Sequence, residues 1–154
     1  MKNIVLAFVF VIGFANAQTS AKRDPQFQVD FEMELEKPLS SIMISTFKSP
    51  AEQDKKLVFR TSTPACNGLK GLRLRLVNGE ILTFSDAVIE CGAFNPAIAN
   101  MVARIPLTAK LEEILEGKEI LEFTIGNVKT PVKFKEQNEN FVLLQKLVRD
   151  ERGF

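Results

Sequence analysis

A stretch of ten residues near the start of the chain, 27–36, alternates without exception between apolar and polar side chains. Its apolar members are Phe27, Val29, Phe31, Met33 and Leu35, and each is followed by Gln, Asp or Glu. Successive side chains of a β-strand point to opposite faces of the sheet, so this period of two predicts a half-buried strand. Such a strand must pair with others and cover its apolar face, which favours a fold built on sheets.

An Asn-Gly pair separates two further strand-like runs. Residues 72–77 alternate largely between Leu and Arg, Asn78-Gly79 follows, and residues 80–84 resume the strand character. Both central residues of a type I′ turn need a positive φ, so Asn-Gly between two such runs predicts a two-residue hairpin loop. In that register Leu74 faces Thr83, and the second strand can extend through residues 87–91.

A Gly-Asn pair predicts a second hairpin later in the chain. Gly126-Asn127 has its glycine first, which suits a type II′ turn. Leu121, Phe123 and Ile125 are expected on the buried face, and Pro131 places the second strand at an edge or irregularity of the sheet. The remaining strand candidates are residues 40–47, 57–63 and 101–105, whereas 49–56 and 92–100 are predicted to be loops.

Two amphipathic segments predict helices. Thr108 is a suitable N-cap for a short helix that Gly117 can end. A longer helix is expected over residues 139–152, with Gln145 among the side chains that face water. The apolar face of this final helix is predicted to consist of Phe141, Leu144, Leu147 and Val148.

These segments together predict about eight strands and two helices. Most connections are too short for a parallel crossover, so antiparallel pairing is expected. The predicted fold class is therefore α+β and dominated by β-structure. It is an antiparallel sheet, a partly open barrel or a sandwich, with a short helix and a C-terminal amphipathic helix packed on the sheet.

The N-terminus has the features of a secretory signal peptide. Lys2 precedes an apolar run over residues 4–14, and Ala15-Asn16-Ala17 supplies the small residues that a signal peptidase recognises. The run is shorter than the roughly 20 residues that a membrane-spanning helix needs. Cleavage is expected between Ala17 and Gln18, giving an exported protein, periplasmic or extracellular, with no transmembrane segment in the mature chain. The expected divisions are a signal peptide at 1–17, a flexible lead-in at 18–25 and a single β-rich domain at 26–154.

The chain has two cysteines, Cys66 and Cys91. Export implies an oxidising environment, in which paired cysteines form disulfides. In the predicted Asn-Gly register the two positions face each other across an unbroken hairpin. A redox or nucleophilic role is disfavoured because the spacing is not Cys-x-x-Cys and the chain has no histidine to serve as a base. We therefore expect a structural disulfide that fastens the hairpin.

Composition excludes several kinds of chemistry. Without histidine there is no Ser–His–Asp triad and no His-ligated metal site, and a formal charge of +1 does not favour nucleic acid as a partner. Glu32, Glu34 and Glu36 share one face of a strand, where paired carboxylates could hydrolyse glycosides or bind a cation. The same alternation is explained as the wet face of a half-buried strand, so no catalytic residue, metal site or cofactor is assigned.

Two basic clusters have both a binding and a packing interpretation. Lys70, Arg73 and Arg75 could bind an anionic polymer, but in the predicted register Arg73 could instead stack on Phe84 and Arg75 could cover Leu82. The second cluster is Lys129, Lys133 and Lys135. It lies on the polar face of a predicted edge strand, where lysines discourage edge-to-edge aggregation. The packing interpretation is preferred for both clusters.

These observations favour binding without catalysis. The first hypothesis is an exported, non-enzymatic β-rich domain that binds a partner. The alternative is a small carrier that encloses an apolar ligand between the Phe-rich sheet and the final helix, since such pockets are lined by aromatic and aliphatic side chains. A hydrolase that uses carboxylates alone is the third hypothesis. The expected partner is therefore a protein or a small apolar ligand.

Overall fold

The computed structural model describes residues 27–48, 53–66, 70–95 and 97–150. The predicted signal peptide, its cleavage site at Ala17 and Gln18, and the lead-in lie outside these residues. Within them the chain forms nine strands and two helices. In chain order these are β1 (Phe27–Glu34), β2 (Ser41–Lys48), β3 (Gln53–Thr63), β4 (Leu72–Leu76), β5 (Ile81–Phe84), β6 (Ile89–Asn95), β7 (Ile98–Pro106), α1 (Ala109–Leu115), β8 (Ile120–Ile125), β9 (Val128–Pro131) and α2 (Phe141–Asp150).

The strands form two antiparallel sheets. One has the order β1-β2-β3-β7-β6 and the other the order β5-β4-β8-β9. A bridge between Leu35 and Phe134 joins the end of β1 to the chain that follows β9, and the Glu36 amide donates to the Lys133 carbonyl at 2.8 Å. Among the described residues no such bridge links β5 to β6. The fold is thus a partly open two-sheet sandwich, and the predicted β-dominated α+β class is confirmed.

One hydrophobic core fills the space between the sheets. The rings of Phe59 on β3 and Phe123 on β8 are both completely buried, with centroids 5.1 Å apart. Rings at this distance attract each other beyond the gain from burial alone. Apolar side chains from every sheet-forming region surround them, including Met33, Ile42, Ile44, Leu57, Leu72, Leu74, Leu76, Ile105 and Ile125.

Two of the predicted loops are in fact strands. β3 begins at Gln53, inside the predicted loop at 49–56, and β6 and β7 occupy most of the predicted loop at 92–100. Pairing explains the difference: Gln53 is opposite Lys48 of β2, and Ala93 of β6 is opposite Ala99 of β7. Backbone groups need partners whatever the side chains are, so polar residues can continue a strand when a neighbouring strand is available.

The Asn-Gly hairpin has a three-residue loop, so its predicted register is wrong. Leu74 pairs with Leu82, and the Leu76 amide donates to the Glu80 carbonyl at 2.9 Å. Within this loop, residues 77–79, only Gly79 has a positive φ, +84°. This fits a type I turn followed by a left-handed glycine. A shift of one residue reverses the faces of a strand. Here it brings Leu82 and Phe84 against the core, whereas the predicted register would have buried Thr83.

The Gly-Asn hairpin matches its prediction at the turn but not along the whole of β8. Ile125 pairs with Val128, and Gly126 has a φ of +59°, as the first residue of a type II′ turn requires. Leu121, expected to be buried, is exposed. The pairing of β8 with β4 shifts between Arg75 and Leu76, so Leu121 lies in a β-bulge and Ile120 takes the buried position instead.

Both predicted helices are present. α1 begins after Thr108, whose Oγ1 accepts the Leu111 amide at 3.3 Å, and Gly117 follows it with a φ of +67°. α2 lies against β1 and β2 and buries Phe141, Leu144 and Val148. Leu147, predicted on the same face, is 42% exposed, so the buried stripe of α2 is narrower than expected. No helix in the described ranges combines the length and apolar character needed to cross a bilayer.

Candidate functional site

A groove of about 430 Å³ lies between the two helices. Its apolar lining comes from β2, from the chain after β7 and from α2, and it consists of Ile44, Leu107, Phe141 and Val148. All four side chains are buried against the core. Polar side chains of α1 and α2 complete the lining, so the accessible wall of the groove is mainly polar and the buried apolar side chains lie behind it.

Helix α1 supplies the acidic part of the rim. Glu112, Glu113 and Glu116 line the groove, while Leu111 and Leu115 of the same helix are buried in the core. Residues three and four apart share one side of a helix, so the sequence of α1 gives it an apolar side and a carboxylate side.

Helix α2 is held in place by contacts at its N-terminus and along its length. The carboxylate of Glu119 accepts the amides of Phe141 at 2.9 Å and Val142 at 3.1 Å, and Asn140 Oδ1 accepts the Leu143 amide at 2.7 Å. These three amides are among the four that a helix start leaves without internal partners. The N-terminus of α2 is therefore occupied by its own cap.

Gln145 links the two helices. Its Nε2 donates to the Leu115 carbonyl at 2.9 Å, at the C-terminal end of α1. The carbonyl can only accept, so this contact fixes the orientation of the amide. Gln145 Oε1 is buried and has no partner among the described residues. The prediction that Gln145 faces water is wrong, since its side chain is half-buried between the helices.

The three carboxylates of the rim differ in their partners. Glu112 forms an ion pair with Lys55 at 2.6 Å, and Glu116 pairs with Arg149 at 3.1 Å. Glu113 forms no ion pair with any residue in the described part of the chain. Two of the three rim carboxylates are thus neutralised by cations of the same protein, and Glu113 carries the remaining negative charge.

The predicted disulfide is confirmed, although the geometry behind the prediction is not. Cys66 and Cys91 are bonded, with their Cα atoms 5.9 Å apart. Cys91 lies on β6 of the five-stranded sheet, and Cys66 follows β3, so the bond does not cross the β4–β5 hairpin. It fastens the edge strand β6 to the chain leaving β3, and β7 lies between these two strands in the sheet.

The carboxylates of β1 are engaged in pairs across neighbouring strands. Glu32 Oε1 accepts from Ser41 Oγ and lies 2.9 Å from Arg60 Nη1, while Glu34 pairs with Lys135 at 3.0 Å. Glu36 is exposed, beyond the end of β1. The contacts of the first two fit the packing interpretation, with their charges balanced on the outer face of the sheet.

The basic clusters also lie on outer faces. Arg75 and Lys129 flank Glu122, at 3.5 Å and 3.2 Å, on the four-stranded sheet. Arg73 faces Thr83 and not Phe84, so the expected stacking is wrong for the same reason as the hairpin register. The other members, Lys70, Lys133 and Lys135, are exposed.

A lysine between the sheets forms a cluster that the sequence did not reveal. Lys37 Nζ donates to Thr61 Oγ1 at 2.9 Å and to Thr130 Oγ1 at 3.3 Å, and the two threonine oxygens are 2.7 Å apart. Burial lowers the pKa of Lys37 below its usual value of 10.5. Both threonines are completely buried and out of reach of a substrate. The cluster therefore ties the β1–β2 turn to β3 and β9.

The inter-helix groove could not be located from the sequence. In the sequence, Glu112 and Glu113 are only carboxylates near the start of a short helix, where they are favourable for the helix dipole. Nothing local in the sequence shows that α1 and α2, separated by the β8–β9 hairpin, pack side by side. The signal that could have been used is the pairing of an acidic helix side with Gln145 and Arg149 on the other helix.

No protein-family model, no curated protein and no solved structure matches this chain. The fold and the groove define a class, an antiparallel two-sheet α+β domain with a small cleft between its helices.

Proposed function

We propose that this chain is an exported, non-enzymatic binding domain and that the groove between α1 and α2 is its ligand site. The observation that carries the proposal is the groove itself, a concave space of about 430 Å³ that carboxylates border and buried apolar side chains back. Ligand sites of small molecules are typically concave, and volumes of about 300–1,000 Å³ are usual.

Export is supported by two independent features. The N-terminal sequence has the arrangement of a signal peptide, and the Cys66–Cys91 disulfide is of the kind that persists in oxidising compartments. N-terminal sequencing of the exported protein is expected to begin at Gln18. A mature product that retains residues 4–14 would contradict this part of the proposal.

The packed interior favours a groove ligand over a ligand enclosed between the sheets. Phe59 and Phe123 meet at the centre of the sandwich, where an enclosed carrier would need space. The carrier hypothesis survives in a modified form, because Ile44 of the sheet and Phe141 of the final helix both line the groove. A small ligand held on the surface between the helices is consistent with the packed interior and with the modified carrier hypothesis.

Native mass spectrometry of protein purified from its own host tests the groove. Ala109 lines the groove and is exposed, so Ala109→Trp is expected to fill the groove without disturbing the core. Lys110→Trp, on the adjacent exposed position, is the matched control because Lys110 does not line the groove. We expect a retained small-molecule mass on the native protein and on Lys110→Trp, and its loss from Ala109→Trp. A mass retained by Ala109→Trp, or none on any form, argues against the groove.

A further inference from the structure

We propose that the outer edge of β1 binds an extended peptide in which basic and apolar side chains alternate, and that the peptide adds to the five-stranded sheet as a further strand. No residue of β1 lines the groove between the helices, so this is a second site and goes beyond the function proposed above. The proposal follows from the direction of the backbone groups of β1, from the regularity of this edge and from the charges along it.

Alternate residues of β1 turn their backbone N–H and C=O groups away from the sheet. β1 is an outer strand and pairs on one side with β2. On its other side, near its end, the Glu34 carbonyl accepts the Lys135 amide at 3.1 Å. The direction of hydrogen bonding alternates along an antiparallel strand, so Gln28, Asp30 and Glu32 point the same way as Glu34. In the described ranges nothing pairs with the backbone of these three residues on that side, and they form a template for another strand.

β1 is the least protected outer strand in the described part of the protein. β9 carries Lys129 and ends at Pro131, and β5 has only four residues. β6 has a register shift and is bonded through Cys91 to the chain after β3. Lysine, proline, shortness and irregular pairing are the usual means of keeping other strands off a sheet edge. β1 has eight residues, an unbroken register and neither lysine nor proline, so it is open to a partner strand.

The polar row on β1 disfavours a second copy of this chain as the partner. The row consists of Gln28, Asp30, Glu32 and Glu34, which are all exposed. Two copies related by a twofold axis would pair β1 with β1 in the antiparallel direction. Every symmetric register that pairs three or more of these positions places one carboxylate directly opposite another. Like charges at opposed positions are destabilising, so the edge selects against self-association.

The same row favours a basic strand. Glu32 and Glu34 each pair with a cation of the same protein, whereas Asp30 has no ion-pair partner in the described part of the chain. A lysine of the added strand opposite Asp30 supplies the missing charge. On the other face of β1, Val29 and Phe31 are half-buried, and alternate apolar side chains of the peptide cover them further. Basic and apolar residues in alternation therefore match both faces.

Isothermal titration of the exported protein with matched heptapeptides tests the charge selection. The probe is a capped peptide of alternating Lys and Val. The comparison peptides are alternating Glu and Val, and a peptide with the composition of the probe but with its lysines consecutive. We expect the probe to bind most tightly and its affinity to fall as salt is added.

N-methylation of the probe tests strand addition itself. The N–H groups of the lysines and those of the valines lie on opposite edges of an extended peptide, and only one edge can bond to β1. We therefore expect methylation of one set to abolish binding and methylation of the other set to preserve it. An equal effect of both modifications would overturn strand addition.

Substitutions of Asp30 separate its charge from its backbone N–H. Asp30→Asn should weaken binding of the probe about twofold to fivefold, as for one exposed ion pair. Asp30→Pro also removes an outward-facing N–H but no bond to β2, and it should weaken binding about tenfold or more. Asp86→Asn removes the same charge from an exposed turn and is the matched control, with no expected effect. The methylated peptides keep the test decisive if Asp30→Pro does not fold.

The remaining outcomes would each overturn the proposal. These are the absence of binding by any peptide, equal affinity for the Lys and Glu peptides, and an equal loss in Asp30→Asn and Asp86→Asn. A dimer in sedimentation analysis that Asp30→Pro dissociates would identify a second copy as the occupant of the edge. The groove is tested separately by the retained mass and Ala109→Trp, so its failure and the failure of the β1 site are distinguishable.

Discussion

The two ends of the five-stranded sheet are built in different ways. At one end the β1–β2 turn, the end of β3 and the start of β7 come together, closed by the Lys37 hydroxyl cluster and the Cys66–Cys91 bond. At the other end β7 leads into α1, and α2 packs beside it with the groove between them. We call the first the turn end and the second the helix end.

The difference lies in how each end uses its polar groups. At the turn end the Lys37 ammonium, two threonine hydroxyls and Ser40 bond to one another, and the Pro38 carbonyl accepts from Ser62 Oγ at 2.9 Å. At the helix end the polar side chains form separate contacts, with Glu116 paired to Arg149 and Gln145 Nε2 bonded to the Leu115 carbonyl. Each end has one buried acceptor without a partner among the described residues, Asn100 Oδ1 at the turn end and Gln145 Oε1 at the helix end. A connected network gives more rigidity than separate pairs, so we expect the turn end to be the more rigid one, and the proposed ligand site lies at the helix end.

The largest effect is expected where α2 docks at the helix end. Leu144 is 1% exposed, so Leu144→Ala should lower the free energy of unfolding by about 2–5 kcal/mol in urea denaturation. Leu147→Ala on the same helix is the matched control, with an expected change within about 0.5 kcal/mol because that side chain is exposed. Similar losses in both variants would show that α2 docks differently from the structure described.

The next effect belongs to the turn end. The double substitution Cys66→Ala and Cys91→Ala removes a bond between residues 25 apart in sequence. Without this cross-link the unfolded chain gains conformational entropy. The free energy of unfolding should therefore fall by about 3–4 kcal/mol in the chain-entropy model. Ligand binding at the helix end should be unchanged under conditions where the protein is folded. Loss of the ligand mass that the native protein retains in native mass spectrometry would contradict this separation between the two ends.

The sequence predicted the elements of the fold better than their pairing. Alternation revealed β1, and capping residues such as Thr108 and Gly117 revealed α1, because these signals are local. The register of the β4–β5 hairpin was missed because Asn-Gly fits two turn types, and burial of Leu82 and Phe84 decided between them. The disulfide was correctly paired because the chain has only two cysteines, although the supporting geometry was wrong.

The groove was beyond the reach of the sequence for a physical reason. It exists only where α1 and α2 lie side by side, and their contact runs through Gln145 and the Leu115 carbonyl, a bond that no periodicity encodes. The β-bulge at Leu121 was hidden in the same way, since a bulge is a property of two paired strands.

A smaller effect is expected from the strained turn between β1 and β2. Leu39 has a φ of +56°, in the third position of a turn closed by the Ser40 amide and the Lys37 carbonyl at 3.2 Å. Leu39→Gly should raise the free energy of unfolding by up to about 1 kcal/mol. The left-handed conformation costs an L-residue roughly 1–2 kcal/mol. Glycine removes that cost, but it also loses more conformational freedom on folding, which offsets part of the benefit. Gly79→Ala is the reverse test and should lose about 1–2 kcal/mol, since the φ there is +84° in open space. A loss of stability in Leu39→Gly would mean that packing of the leucine outweighs the strain.

The smallest effect is a dependence on pH that comes from Lys37. Burial lowers its pKa in the folded protein below the value of 10.5 that it regains on unfolding. Between these two values the unfolded chain binds more protons than the folded one, so this group makes stability rise with pH in that window. Lys37→Met removes the contribution, and the stability of the native protein relative to this variant should therefore increase from neutral pH towards pH 10.5.

Urea denaturation of native protein, Lys37→Met and Lys146→Met over this range measures the effect. Lys146 is exposed on α2 and serves as the control for loss of one positive charge, so its stability should stay parallel to that of the native protein. Other groups that titrate at high pH are common to all three proteins and cancel in the differences. If the stability of Lys37→Met also stays parallel to that of the native protein, the Lys37 ammonium carries no burial penalty and is solvated in the folded protein.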